Sequence, residues 1–320
     1  MPGRTVRFPL SVYRGGMRRL APLLTVSVAL LFGALAVPGT GLRSSVVAAL
    51  IDRPAVSGFS PAVALPSPGV PLRVAISAMV SPERTFGFYG DFFQALAGRL
   101  HRPLQLRQRR TYEEVNSLVI RGEVDLAWIC TGAWPTLDSG KTGRLLAVPV
   151  VAGQTTYHAL ILAGSFHPGA RSLPLLSGAR FAFTDPISLT GYLYPRRRIK
   201  EAGDNPEAFF GSTFFTYGHD RSIEAVRRGL AAGASVDSLV FDYLKRRFPE
   251  EVEGIRVLEK SPPFPIPPLV VPAGTSEARL VEIRTALFAL AHDEGGRKLL
   301  DALLVDGFAL PDEREYAGLR

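Results

Sequence analysis

The 320-residue chain contains a single cysteine, Cys130, so no intramolecular disulfide can form. Its first 49 residues contain neither Asp nor Glu. Six of the 37 basic residues lie there (Arg4, Arg7, Arg14, Arg18, Arg19 and Arg43), which leaves 31 basic against 29 acidic residues in the remainder, about +2. So nearly neutral a body gives no electrostatic case for nucleic-acid binding. No cysteine stands directly after the apolar stretch near the N-terminus, which excludes a lipoprotein-type attachment. The His-Glu-x-x-His pattern of a metal site is missing, and so is a Cys-Gly nucleophile signature. SGKT at 139–142 ends like a phosphate-binding P-loop, but the glycine required five residues before Gly140 is Pro135.

What is present begins with LAPLLTVSVALLFGALAV, residues 20–37, a stretch without charge behind Arg14, Arg18 and Arg19 and ahead of PGTG. A basic segment, an apolar run and small residues such as Ala34 and Ala36 describe an export signal. A run of this length is also near the lower limit for a membrane-spanning helix, so an uncleaved anchor and a buried core helix are the alternatives. Arginines on the near side stay in the cytoplasm and put the body outside, in the periplasm or an equivalent extracytoplasmic space, tethered to the inner membrane if the segment is kept. Residues 1–37 are therefore read as signal or anchor, and the Pro-, Gly-, Ser- and Ala-rich residues 38–70 as a linker.

The body alternates between two periods. LRVAIS (72–77) and LQLRQR (104–109) are expected strands. Between them Phe92, Phe93, Leu96 and Leu100 recur at helical spacing, and SPERTFGFYG is the expected strand-to-helix loop, with Ser81, Thr85 and Tyr89 as candidate donors. Thr111 and Glu114 form a capping box for a helix near 112–121 that stops at Gly122, and VDLAWIC returns as a strand. In the second half ARFAFTD (179–185), STFFTYG (212–218) and VDSLVFD (236–242) are expected strands, with helices near 191–202 and in DRSIEAVRRGLAAG. RGEVDLAWI and GASVDSLVF then read as a weak internal repeat whose Asp125 and Asp237 are structural. The alternation implies two α/β lobes with parallel or mixed sheets, 71–156 with 267–320 and 157–266. TYHALILA and PPLVVPAG cross between them, and the C-terminal helices return to the first lobe. Such a molecule is a hinged clamshell around a small ligand.

At the handover from strand to helix stands FTDPISLTGYLYP, residues 183–195. The amides of residues 189–192 would open a helix, Ser188 and Thr190 add hydroxyls, and Gly191 allows close approach, which is the chemistry of an oxyanion cradle. The plain alternative is that Ser188 only caps a helix. His219 is a candidate donor to an anion or a capped-turn histidine. Tyr157 and His158 enter the crossover on opposite faces, and Tyr157 is favoured for the cleft. Asp242, placed at a strand end, either selects a cationic group or caps a helix. PRRRIK (195–200) reads as a solvated charged face.

DPISLTGYLYP, YGHDRSIEAV, VDSLVFDYL and KSPPFPIPPLVVP, in this order, resemble the substrate-binding proteins of phosphate, phosphite and phosphonate ABC transporters. The resemblance runs from about residue 72 to about 300 and implies the type II periplasmic-binding-protein fold, no cofactor or metal, and a permease as partner. It assigns Ser188, Thr190 and Gly191 to the anion-holding turn, His219 and Asp220 to the ligand-contacting Gly-His-acid step, and Tyr157 to an aromatic at the first crossover. Leu189 departs from it by removing the middle hydroxyl, and Ile129, Cys130 and Thr131 stand where aminophosphonate binders carry an aromatic. Both departures count against 2-aminoethylphosphonate. AWIC is similar to a branch of the family that binds arsenite through a cysteine and signals to a sensor kinase; a thiol suits As(III) and gains nothing for phosphate. A buried structural role for Cys130 remains open beside it. Two further readings stay in view: an enzyme pairing Cys130 with His158 or His219, and a scaffold whose cleft is degenerate at Leu189.

Overall fold

The computed structural model describes residues 69–137 and 141–319. The expected signal or anchor and nearly all of the linker lie outside the described residues. From Leu72 the chain runs β1 (Leu72–Ile76), α1 (Pro82–Arg99), β2 (Leu104–Gln108), α2 (Tyr112–Ile120), β3 (Leu126–Trp128) and β4 (Gly143–Val150). It then crosses through β5 (Thr156–Tyr157) into β6 (Ala159–Ala163), β7 (Arg180–Phe183), α3 (Tyr194–Glu201), β8 (Ser212–Phe215), α4 (His219–Arg227), β9 (Gly233–Asp237), α5 (Ser238–Arg247) and β10 (Arg256–Lys260). It returns through β11 (Phe264–Pro265) to β12 (Leu269–Pro272), α6 (Glu277–Ala289), α7 (Glu294–Ala302), β13 (Gly307–Ala309) and α8 (Glu313–Ala317).

Two sheets result. The first has the order β13-β4-β12-β3-β1-β2, the second β10-β6-β9-β7-β8. In each, three strands are parallel, β2-β1-β3 and β8-β7-β9, and the strands beyond them are antiparallel. The crossovers pair with each other, Tyr157 opposite Phe264. Helices cover both faces of each sheet, as the period of two shows. Leu72, Val74 and Ile76 of β1 pack into one core with α1 and α7, whereas Ala75 joins Val115 and Val119 of α2 on the other side. In the second sheet Phe181 and Phe183 face one core and Ala182 the other.

Three expectations are corrected. VDSLVFD is not one strand: β9 ends at Asp237, whose carboxylate accepts the amides of Leu239 (2.6 Å) and Val240 (3.4 Å) and so starts α5. Asp242 therefore lies inside a helix, not at a strand end. The internal repeat fails with it, since Val124-Asp125 precede a strand and Val236-Asp237 finish one. SPERTFGFYG is not a loop either. Pro82 occupies the first turn of α1, where a missing N–H costs nothing, so Ser81 is the N-cap and Thr85 and Tyr89 are helical.

The capping box of α2 is present as read. Thr111 Oγ1 accepts from Glu114 N (3.2 Å) while Glu114 Oε2 accepts from Thr111 N (3.0 Å), and Gly122 ends the segment at φ +65°. Thr111→Ala should lower the unfolding free energy by about 1 kcal/mol in urea denaturation, without a change in the slope.

Candidate functional site

The carboxyl ends of the two parallel strand sets face each other, and helices start there from both sides. Each of three helix N-termini finds its acceptor on the opposite lobe. The amide of Ser81, opening α1, donates to both Asp220 oxygens (2.9 and 3.1 Å). The amide of Tyr112, first in α2, donates to Asp185 Oδ2 (3.1 Å). The amide of His219, first in α4, donates to the carbonyl of Met79 (2.9 Å). Arg84 adds ion pairs to Asp220 (3.4 Å) and Glu251 (2.5 Å). First-turn amides lack intrahelical partners and carry the positive end of the helix dipole, so these carboxylates satisfy donors that either lobe alone would leave to water.

Between these contacts lies a buried polar cluster. His219 is fully buried; its Nδ1 accepts from the Asp237 amide (3.1 Å) and meets Thr184 Oγ1 (3.1 Å). The main-chain donor makes Nδ1 the acceptor, so the ring proton sits on Nε2, 3.4 Å from the Tyr112 hydroxyl. Burial holds the imidazole at about 3, far below its ordinary value, so it is neutral at physiological pH. Burial also pushes the Asp237 carboxyl up to about 7, against the pull of the Leu239 and Val240 amides.

The 188–191 turn adjoins this histidine through Thr184. Ser188 Oγ accepts from Gly191 N (3.0 Å), and the Ser188 carbonyl accepts from Tyr192 (3.1 Å) and Leu193 (3.0 Å), closing one wide helical turn before α3. Of the four amides expected to be free, those of Gly191 and Tyr192 are thus taken inside the turn. The Leu189 amide, with that of Gly132, lies within reach of the Cys130 sulfur. Cys130 is buried, and burial pushes its thiol up to about 12. A Cβ on Gly191 would overlap the Thr184 side chain, and one on Gly132 would overlap the backbone of Ile187 and Leu189 across the cleft. Both glycines are required by close approach, the second between lobes.

The remaining candidates separate into four groups. Tyr157 and Thr190 join the cluster; both are buried, and neither hydroxyl has a well-formed hydrogen bond. Burial raises the Tyr157 phenol well above its ordinary value, and the nearby Thr131 and Thr190 hydroxyls oppose this only in part. Thr131 itself donates to the Pro265 carbonyl (2.9 Å). His158 points elsewhere: its Nδ1 donates to the Ser261 carbonyl (2.8 Å), one residue out of phase with Tyr157. Asp220, Ser81 and Thr85 are engaged in and beside the interlobe contact, Thr85 accepting from Gln108 Nε2 (2.9 Å). Tyr89 and Asp242 line a separate apolar cavity next to the cluster. Tyr112, Thr184 and Asp185 were not anticipated. Tyr112 carried a faint signal, an aromatic directly after a capping threonine; the other two carried none. Among the described residues no three or more His, Cys, Asp or Glu are grouped to hold a metal ion.

His219 makes a pH test available. Below about 6.5 the unfolded chain binds a proton that the folded histidine refuses, so stability is lost as pH falls from 6.5 toward 3. Asp237 acts oppositely, its folded form keeping a proton between about 4 and 7. Comparing the native chain with His219→Gln isolates the histidine: urea denaturation should show the native chain losing about 2 kcal/mol more than the variant between pH 6.5 and 5.

Residues 74–316, well over half of the chain, match the family described as ABC transporter, phosphonate, periplasmic substrate-binding protein. Among solved structures the chain is similar to a binding protein component of an ABC phosphonate transporter from Pseudomonas aeruginosa (TM-score 0.73, 21% identity, 79% of this chain and 85% of that one). It is also similar to PhnD1 from Prochlorococcus marinus in complex with methylphosphonate (TM-score 0.70, 15% identity, 78% and 95%). A third is XAC2383 from Xanthomonas citri bound to chloride ion (TM-score 0.61, 19% identity, 78% and 95%). At such identities the structures share the type II periplasmic-binding-protein fold, while the family match extends over nearly the whole described body. The chain belongs to the periplasmic substrate-binding proteins of phosphonate ABC transporters.

Proposed function

We propose that the protein is an exported receptor that captures a phosphonate-like oxyanion between its lobes and passes it to an ABC permease. The observation that carries this is the pair of buried hydroxyls beside the 188–191 turn, Thr190 Oγ1 and Tyr157 OH, which have no well-formed hydrogen bond and only each other and Thr131 nearby. Buried polar groups are nearly always satisfied, so orphaned hydroxyls in a cleft call for a ligand. Ser188 keeps its own proton to donate, since its oxygen only accepts from Gly191. The neutral His219 offers Nε2–H, and the Thr190 hydroxyl a further donor. An oxyanion with three oxygens suits these donors, which are fixed in place and hidden from water. Asp220 then acts through closure rather than on the ligand. The N-terminal segment serves for export, and holds the receptor at the membrane if it is not cut.

A second reading rests on Cys130, whose sulfur lies within reach of the Leu189 amide. This favours a soft ligand such as arsenite, with the closed form presented to a sensor kinase. The proton that such a ligand must displace is held tightly, because burial raises the thiol to about 12. The same shift works against a cysteine nucleophile, which needs a lowered value.

Thermal unfolding against phosphate, phosphite, methylphosphonate, sulfate and arsenite separates the readings. At 100 times its dissociation constant a phosphorus oxyanion should stabilise the protein by about 2.7 kcal/mol, and Thr190→Val should remove most of that shift. A shift with arsenite alone, lost in Cys130→Ser, would replace transport of an oxyanion by metalloid sensing. Gly132→Ala should stay folded yet lose at least about tenfold in oxyanion affinity, because the added methyl holds the turn away from the first lobe. Unchanged affinity in that variant would show that closure onto the turn is not required.

A further inference from the structure

One short segment of the second lobe reaches the first lobe three times. It is the end of α5 and the turn after it, residues 247–251. The Arg247 guanidinium donates to the Asp301 carbonyl at α7 (2.7 Å). The Phe248 ring lies under the Arg84 guanidinium of α1, 5.3 Å from the ring centroid. Both Glu251 carboxylate oxygens accept from one Arg84 nitrogen (2.5 and 2.6 Å). None of these contacts involves Ser188, Thr190, His219 or Tyr157.

Arg84 is the centre of this arrangement. A planar guanidinium can stack on a ring with its face while its edge donates hydrogen bonds. Here the face meets Phe248, Nε lies 3.4 Å from Asp220 Oδ2, and a terminal nitrogen serves Glu251. Phe248 packs against the core beneath α4 and α5, so its ring is a fixed floor for the arginine. The Arg84 and Glu251 side chains are 26% and 27% exposed, enough to leave the pair within reach of dissolved ions. All of these contacts span the two lobes, so they exist only when the lobes are closed. They cannot assist the encounter of a ligand with an open form, and their strength is felt only as the lobes part.

We propose that residues 247–251 are a clasp, closed on Arg84, that sets how long the receptor holds its ligand. This rests on the reading that an oxyanion is enclosed between the lobes. Arg84 and Glu251 are then positioning residues: they govern release without touching the ligand. Because the clasp is ionic and partly wet, release quickens as salt rises.

Stopped-flow fluorescence of the full chain, with Trp128 and Trp134 as reporters, gives association and dissociation rates for phosphate and methylphosphonate separately. Glu251→Gln and Arg84→Met should each raise the dissociation rate about fivefold. The association rate should stay within about twofold of the native value. The double variant should release within about twofold of the faster single variant, because the two side chains act as one unit. Raising salt from about 0.05 M to about 0.5 M should speed release from the native chain and have little effect on Glu251→Gln. Urea unfolding without ligand should be the same for all four proteins. Unchanged release in both single variants, multiplying effects in the double variant, or an equal loss of ligand-free stability would overturn the clasp while leaving the oxyanion site intact. No binding of either anion by the native chain would overturn the oxyanion reading itself, and this inference with it.

Discussion

The closed arrangement depends on helix N-termini that borrow acceptors from the opposite lobe. An α-helix leaves its first amides without partners, and here three such ends meet Asp220, Asp185 and the Met79 carbonyl across the cleft. The exchange is reciprocal: the second lobe supplies two carboxylates to the first, and the first supplies a carbonyl to the second. Two of the acceptors are carboxylates, Asp185 after β7 and Asp220 in the first turn of α4, and the third is the Met79 carbonyl after β1. The three contacts flank a polar cluster of buried residues that includes His219, Thr184 and Asp237.

The same geometry explains why the cluster is buried yet incompletely satisfied. His219 is held by the Asp237 amide on Nδ1 and faces the Tyr112 hydroxyl with Nε2, and Ser188 accepts from the amide of its own turn. Tyr157 and Thr190 are brought beside them by different elements, a crossover strand and the turn, with no well-formed hydrogen bond to either hydroxyl. Such a site presents fixed donors to an anion with little reorganisation on binding. Leu189 removes a hydroxyl from the turn but keeps its amide, now directed at Cys130.

Much of the fold was legible because its signals are local. Thr111 and Glu114 act within one turn, Gly122 stops a helix by its own conformation, and the Phe92, Phe93 and Leu96 spacing marks a buried helical face. The errors were also local, at points where one signal has two meanings. Pro82 reads as a loop residue but suits the first turn of a helix, and Val236-Asp237-Ser238-Leu239 is apolar enough for a strand until Asp237 is seen to cap α5. The interlobe contacts were beyond reach for another reason. Asp185 and Tyr112 are 73 positions apart, and Asp220 and Ser81 are 139 apart, so no window of sequence contains both partners. Asp220, which the resemblance assigns to the ligand, accepts an amide of the first lobe through its carboxylate. Strands β4 and β13 went unread because their pairing partners are distant as well.

The central claim is that this cluster, closed by borrowed helix caps, holds the oxyanion. A crystal structure grown with methylphosphonate tests it most directly. The account predicts phosphonate oxygens within hydrogen-bonding distance of Ser188 Oγ, Thr190 Oγ1 and His219 Nε2, with Asp220 still bound to the Ser81 amide. Methylphosphonate bound outside the cluster, or bound there with the lobes apart and the Asp220–Ser81 contact broken, would contradict it.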